Sequence, residues 1–445
     1  MTFLQSFPHS PMIEELLSQY IKKTLSPERK ERENVSARYE QLQKIFGDSA
    51  EIFQIGSYVR FTAIKPIHDL DVVWVLPDEV RIKKAINPEN FTASGVLEEL
   101  AQQLENEYKK IGERPSIEAQ THSVVIRFGK NLDFSIDVVP AFKTKEKNEF
   151  GSFIYLVPEG DPVRWIKSDP LGYIEVAKKL NEKNNSFRKI TKFVKGWEKS
   201  RRKNYPLIEL KSFHLENIVS DLLQKNPDLN CYEGIKKFYQ SLSAYLIPQL
   251  RDRADGTRFI DDYLKDIDAF DKREIAELAL LAQRTISEIE SSSEKEDVIK
   301  LSERLADASD FGEEFIQKQG IAFVHKKDLL KLRVDGRVTG EERKRGSFRE
   351  YLLKNAENRV RGLGRKIHYY LSNPRNIPDG AVLKWKVKNR ISDYAKEHPR
   401  GEISNHATKN DPEVTAFRGQ HYVDCYLVKD SKVLGIGRQY LIIEL

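Results

Sequence analysis

The sequence predicts an α+β fold: a mixed sheet with helices packed on it, then a helical lobe, then a small β-rich C-terminal domain. Three observations predict it. Between residues 52 and 139 short β-prone runs alternate with an amphipathic helical stretch, the pattern of a mixed sheet covered by helices. From about 170 to 320 the texture changes to long amphipathic helices with few strand signals. From 367 to 445, WKVKN, YVDCYLV, Val433 to Ile436 and Tyr440 to Glu444 are short β-rich runs broken by polar turns, as in a small sandwich. The expected boundaries are 1–170 for the sheet domain with its N-terminal helices, 171–320 for the helical lobe, 321–366 for a basic linker and 367–445 for the β-rich domain.

Taken in order, residues 12 to 46 read as two helices, with Ile13, Leu16, Leu17, Tyr20 and Ile21 on one stripe and Val35, Tyr39, Leu42 and Ile45 on the next. Ser26-Pro27-Glu28 reads as a helix start, with Ser26 as cap and Pro27 at the first position. Ile52, Phe53 and Ile55 form a brief apolar run stopped by Gly56, and Ser57 is placed to cap the helix that follows. That puts backbone N–H groups and a hydroxyl where an anion binds. After Pro66, Asp69 and Asp71 head the β-prone run Val72-Val73-Trp74-Val75. Residues 94 to 112 read as a helix, and 123–128 with 132–139 as a hairpin around Gly129 and Asn131, with Asp137 in its second arm.

In the lobe, residues 171 to 200 place Ile190, Phe193, Val194 and Trp197 on one helical face and leave Lys192 and Lys195 to reach outward. Residues 285 to 309 read as a further helix, and 316 to 366 as an irregular basic stretch with one short helix around Phe348 to Ala356.

The chemistry is concentrated between Gln54 and Val75. Residues two apart in a strand share a face, so the carboxylates of Asp69 and Asp71 are neighbours, with Cα atoms about 6 to 7 Å apart. Two such groups repel unless a cation lies between them. Oxygen-rich sites of this kind suit Mg²⁺ or Mn²⁺ held together with substrate phosphates. A third carboxylate is needed to hold two ions. Asp137 supplies it if its arm pairs beside the Asp69 strand. A Gly-Ser turn, an Asp-x-Asp and a distant strand Asp together make the layout of two-metal nucleotidyl transfer. Each part alone is weak, because lone Asp-x-Asp pairs and Gly-Ser turns are common.

Gly56-Ser57, eleven intervening residues, Asp69-Leu70-Asp71 and the later Asp137 resemble the polymerase-β nucleotidyltransferase superfamily. The flanks TAIKPIHDLDVV, IDVVPAF, YLVPEGDPVRW, FRKITKFVKGW and LKSFHLE narrow the resemblance to the cGAS/DncV-like nucleotidyltransferases, bacterial enzymes that make nucleotide second messengers in phage defence. It covers roughly residues 10 to 320 and, separately, the C-terminus. It departs from the family pattern at Phe61, where a small residue often sits. The resemblance implies a polymerase-β-like palm, NTP substrates, two Mg²⁺ or Mn²⁺ ions on Asp69, Asp71 and Asp137, and a cyclic or short linear oligonucleotide product that activates a separate effector protein. It also implies nucleotide contacts from Gly56, Ser57, Lys195, Ser212 and Phe213, the last stacking on the base. Trp385, Asn389, Arg400-Gly401, Thr415, Gly419, His421, Tyr422 and Cys425 resemble the AGS-C sensor domain. That implies a nucleotide or phage-derived trigger. His421 is the one titratable group there suited to a ligand phosphate, although a lone His beside a Tyr is more often structural.

Composition narrows the alternatives. With 445 residues, core size is no constraint, and 39% hydrophobic with 32% charged residues fits a well-solvated globular protein. The charge of +6 arises from 74 basic against 68 acidic residues and does not by itself announce a nucleic-acid binder. No run approaches a membrane span, the start MTFLQSFPHSP lacks a signal-peptide pattern, and Cys231 and Cys425 make no disulfide framework or zinc spacing. A cytoplasmic protein without a membrane partner is expected. Two rivals remain: an enzyme extending RNA 3′ ends, as in archaeal-type CCA addition, and a non-catalytic nucleotide-binding sensor. The AGS-C-like tail and the IDVVPAF context argue against the first, and three intact carboxylates against the second.

Overall fold

In the computed structural model, residues 10–77, 79–80, 92–129, 134–160, 162–292, 294–308, 312–339, 359–372, 377–390, 400–405 and 412–444 are described. The expected short helix around Phe348 to Ala356 and the hairpin tip at Asn131 lie outside them. The chain divides into two compact units, Met1–Gly196 with Leu210–Ser302, and Trp197–Glu209 with Glu303–Leu445. No helix among the described residues is long and apolar enough to cross a membrane.

The first unit opens with α1 (Ser10–Tyr20), whose last turn widens into a π-helical turn over Ile21–Leu25, and α2 (Arg29–Phe46). The cap of α2 is Glu28 and not Ser26. Glu28 and Glu31 form a reciprocal capping box, which satisfies two backbone donors and so outcompetes the Ser26 hydroxyl. Next come β1 (Ile52–Gln54), α3 (Gly56–Val59), β2 (Asp69–Val75), α4 (Ala93–Lys110), β3 (Ser116–Ala119), β4 (Val124–Phe128), β5 (Phe134–Lys147), β6 (Phe153–Glu159) and β7 (Arg164–Ser168). The sheet runs β1-β2-β5-β4-β3, with β6 and β7 added at the far end of β5. It is mixed: β2 and β5 are parallel, and the other pairs in it are antiparallel.

Strand alternation decides which face does what. Leu70, Val72, Ile136 and Val138 are buried in a cluster with Val35 and Leu42 of α2 and Leu97, Leu100 and Leu104 of α4. The helices therefore cover one face. Asp69, Asp71 and Asp137 fall on the other, which continues toward the opposite end of the sheet as a small apolar cluster of Val73, Val75, Ala141 and Tyr155.

The remainder of the unit is helical: α5 (Pro170–Asn184), α6 (Phe187–Asn204, of which residues up to Gly196 belong here), α7 (Ser212–Lys225), α8 (Cys231–Ser241) and α9 (Ala269–Ser291). The single helix expected over 171–200 is two, because Asn185 turns left-handed at φ 52° and breaks it. The helix expected over 285–309 is likewise the end of α9 and a separate α10 (Lys295–Ala306).

The second unit is larger than the β-rich domain expected at 367–445. It includes β8 (Ala322–Phe323), β9 (Leu330–Lys331) and β10 (Val334–Thr339), then β11 (Arg359–Arg361), β12 (Lys366–Leu371), β13 (Val382–Arg390), β14 (Arg400–Ser404), β15 (Glu413–Val414), β16 (Gly419–Lys429) and β17 (Lys432–Glu444). One sheet runs β11-β17-β16-β13-β14 with β8 and β9 also on β17, and a second runs β10-β12-β15. Leu332, Val334, Ile367 and Tyr369 share a buried core with Trp385, Val423, Cys425, Leu427, Leu441 and Ile443. Residues 322–339, expected inside a linker, are thus ladder and core, a role their charged composition conceals.

The opposite face of the main sheet carries a buried ionic layer. Lys386 lies 3.1 Å from Glu313 and 3.2 Å from Asp424, and Arg438 donates to Asp424 at 2.8 Å. Asn204 donates to Glu313 at 3.0 Å, and the Tyr422 hydroxyl also donates to Glu313. On the other, core-facing side of that sheet, His421 is buried with Nδ1 3.0 Å from Asn389 Oδ1 and Nε2 3.0 Å from the Phe417 carbonyl. Burial draws its pKa down to about 4. The ring is buried with both nitrogens turned to the protein's own oxygens, so it serves the fold and not the expected phosphate contact.

Candidate active site

Asp71 and Asp137 are direct partners in the parallel β2–β5 ladder, and Asp69 sits two residues before Asp71 on the same face. Burial and then the charges of Asp69 and Asp137 lift the Asp71 carboxyl to about 7. Arg60 and Lys195 oppose this without cancelling it. Burial and Asp69 raise Asp137 to about 6. Its Oδ1 is buried with no hydrogen-bond partner. An orphaned carboxylate oxygen beside two further carboxylates is a hard-oxygen donor set short of positive charge, and that set fits Mg²⁺ or Mn²⁺. Among the described residues no three acidic, His or Cys side chains already converge on a metal-binding point.

Gly56 is built into this face. Its φ is +76°, and a Cβ placed on it would stand 1.8 Å from Asp71 Oδ2. No side chain fits there. The Ile55 N–H donates to the Asp71 carbonyl at 2.9 Å, which fixes the start of α3 against β2. Ile55 holds the cap position, so Ser57 lies inside the first turn and does not cap it. The Ser57 carbonyl accepts from Thr62 at 2.9 Å and Ala63 at 3.1 Å, closing the loop that follows.

Lys195 departs from its expected outward reach. It is buried, with Nζ donating to Glu216 Oε2 at 2.9 Å and to the Thr62 Oγ1 and carbonyl oxygen at 3.3 Å each. It adjoins the apolar stripe of Ile190, Phe193 and Val194 on α6, so a buried carboxylate is the partner that makes its charge tolerable. Glu216 also binds Arg60 Nε at 2.5 Å and accepts from Thr62 Oγ1 at 2.8 Å. Burial alone would raise Glu216, but Arg60 and Lys195 outweigh it and hold it down to about 2. Lys195 is pushed below the usual lysine range by burial and, secondarily, by Arg60.

The structure thus gathers Gly56, Asp69, Asp71, Asp137 and Lys195, with Ser57 in the adjoining turn. Ser212 is exposed at the first position of α7. Phe213 is half-buried, edge-on to Tyr173 at 4.8 Å between ring centres, with the Arg60 guanidinium 5.6 Å over its ring. Sequence reasoning missed Arg60, Thr62 and Glu216, although they stand in the quoted runs GSYVRFT and LKSFHLE. The available signal was their position inside otherwise apolar stretches.

Residues 12–184 match the Second Messenger Oligonucleotide or Dinucleotide Synthetase domain, and residues 312–444 match the Adenylyl/Guanylyl and SMODS C-terminal sensor domain. These two segments thus resemble the synthetase and sensor parts of a cGAS/DncV-like nucleotidyltransferase with a C-terminal AGS-C domain. A probable cyclic nucleotide synthase of Bacillus cereus (strain VD146) is 28% identical over 219 residues, which is 44% of this chain and 62% of that protein. The cyclic AMP-AMP-AMP synthase of Escherichia coli (strain MS 115-1) is 27% identical over 203 residues, 44% of this chain and 57% of that protein. The matches thus span about three fifths of these curated relatives. Among solved structures, E. coli MS115-1 CdnC with ATP superposes with a TM-score of 0.52 at 15% identity, covering 66% of this chain and 98% of that chain. The same protein in its HORMA-deltaN complex gives 0.51 at 15% identity, with coverage of 66% and 97%. These two establish the shared fold. The first of the two domain matches starts in α1 and carries β1 to β7, the part that holds the three carboxylates.

Proposed function

We propose that this protein joins NTPs into a cyclic or short linear oligonucleotide, releasing pyrophosphate, with Mg²⁺ or Mn²⁺ as cofactor. The observation that carries the reading is the pairing of Asp71 with Asp137 across parallel strands, with Asp69 beside them and Asp137 Oδ1 unsatisfied. Asp69 and Asp71 would hold both ions, and Asp137 would complete the one nearer the attacking hydroxyl. Bound there, divalent cations lower the pKa of the ribose hydroxyl and neutralise the departing pyrophosphate. The new bond joins that ribose oxygen to the α-phosphorus, and the bond broken is the α–β phosphoanhydride. Gly56 keeps the Asp71 carboxylate free of side-chain interference. The loop closed on Ser57, with the buried cations Arg60 and Lys195 beside the carboxylates, offsets substrate phosphate charge. Ser212 and Phe213, at the start of α7, contribute phosphate and base contacts in this reading.

The product acts on a separate effector in antiphage signalling, and the AGS-C unit answers a nucleotide or phage-derived trigger. The test is incubation of the full chain with radiolabelled NTPs and Mn²⁺ or Mg²⁺, with products separated by chromatography. Short oligonucleotides support the reading. Extension of a supplied tRNA-length acceptor supports RNA-end addition instead, and tight NTP binding without turnover supports a sensor.

A further inference from the structure

Phe61 has two unusual properties at once. The residue is 60% exposed, and its backbone is left-handed at φ 59°. A bulky residue in that region is strained, and persists where the surroundings hold it. Here the Phe61 N–H donates to the Tyr58 carbonyl at 3.0 Å, next to the two bonds that close the loop on Ser57. The Arg188 guanidinium lies 4.5 Å over one face of the ring, and Arg188 Nε donates to the Arg60 carbonyl at 3.2 Å. Lys192, one turn along α6, donates among the described residues to Ser26 Oγ at 3.1 Å, and the exposed Arg32 donates to the Pro27 carbonyl at 3.0 Å.

Neighbouring cations on this surface are neutralised: Arg29 pairs with Glu33 and Lys65 with Glu28. Among the described residues, Arg32, Arg188 and Lys192 form no ion pair. Lys192 is half-buried, and after burial itself the charges of Arg32, Arg188 and Lys195 press its pKa down. Arg188 is lowered by burial, with Glu182 opposing from the preceding helix. Arg60 and Lys195 act on Asp71. Arg60 and Lys195 are thus turned to the carboxylates, while Arg188 lies on the Phe61 ring with Lys192 one turn along the same helix and within the field of Arg32. Three positive charges that form no ion pair invite an anion, and an exposed aromatic ring backed by a guanidinium invites a planar base.

We propose that Phe61, Arg188, Lys192 and Arg32 form a second nucleotide site that needs no metal, with the base stacked on Phe61 and the phosphates held by the three cations. This goes beyond the catalytic reading, which assigns nothing to these residues. The test is equilibrium binding of a fluorescent ATP analogue to the full chain in EDTA, with unlabelled ATP and inorganic tripolyphosphate as competitors. Binding without metal is expected. Asp71→Asn leaves it unchanged, Phe61→Tyr keeps it, and Phe61→Ala or Arg188→Gln weakens it roughly five- to 150-fold, the range for a lost base stack. Circular dichroism of each variant separates lost binding from lost fold. The proposal is overturned by absence of binding in EDTA at millimolar ATP, by folded Phe61→Ala and Arg188→Gln proteins that bind like the unaltered chain, or by tripolyphosphate competing as well as ATP. Because neither metal nor turnover enters the measurement, it stands or falls independently of the catalytic reading.

Discussion

Asp71 and Asp137 face each other across a parallel strand pair, and both carboxyls are held above the usual carboxylate range, at about 7 and about 6. Their ionised forms therefore cost folding free energy in metal-free buffer. A carboxyl whose folded pKa is raised contributes stability that is complete below its unfolded pKa and is lost as pH rises through the folded value. The melting temperature without divalent ions is expected to fall between about pH 4 and pH 7, apart from other groups. Asp71→Asn should flatten this slope, and added Mn²⁺ should raise the melting temperature most at high pH. Calorimetry across that range checks it, and a slope that Asp71→Asn leaves unchanged contradicts it.

Glu216 is the shared anion of Arg60 and Lys195. Removing its charge leaves two buried cations with one neutral partner. Glu216→Gln should destabilise the protein by about 3–5 kcal/mol, the cost of breaking a buried pair from one side. The Glu216 contribution is present above its unfolded pKa and is lost only as pH falls toward 2, so the deficit should be full at neutral pH. Urea unfolding of the two proteins at pH 7 measures it directly.

Gly56→Ala meets two obstacles, a left-handed backbone and the Asp71 carboxylate. The added methyl must displace that carboxylate. A misplacement of about 1 Å costs roughly a hundredfold in rate. Steady-state turnover of the variant should fall at least that far with NTP binding less affected, and near-normal turnover would show that Asp71 need not sit where it does.

Ending the chain at Arg365 is expected to fail as a dissection. That cut removes β12 and β17, the ladder partners of β10 and of β8 and β9, and with them most of the shared core. Size-exclusion chromatography should show an aggregated or unfolded fragment. A monodisperse, folded fragment would mean that residues 322–339 do not depend on those strands.

The palm was legible because period-two alternation and helical stripes both survive in its sequence: Leu70, Val72, Ile136 and Val138 point one way and the carboxylates the other. The pairing of Asp137 with Asp71 was readable only conditionally, since nothing local says which strand lies beside β5. Lys195 was misplaced because lysine on an amphipathic helix ordinarily reaches solvent. Its burial depends on Glu216, distant in sequence and itself disguised as a surface charge. The linker reading of 321–366 failed for a related reason: short strands such as β8 and β9 have no pattern of their own and form only against β17. Helix boundaries moved where a single left-handed residue, Asn185, or a capping box at Glu28 and Glu31 outweighed the broader periodicity.

The catalytic reading is tested most directly by product and pyrophosphate formed from NTPs by the full chain with Mn²⁺, alongside Asp69→Asn/Asp71→Asn protein shown by circular dichroism to be folded. The unaltered chain should release pyrophosphate together with a short oligonucleotide. The double variant, stripped of the charges that meet the metal, should release neither. Equal turnover by the folded double variant would contradict the assignment of Asp69 and Asp71 as the metal-binding pair.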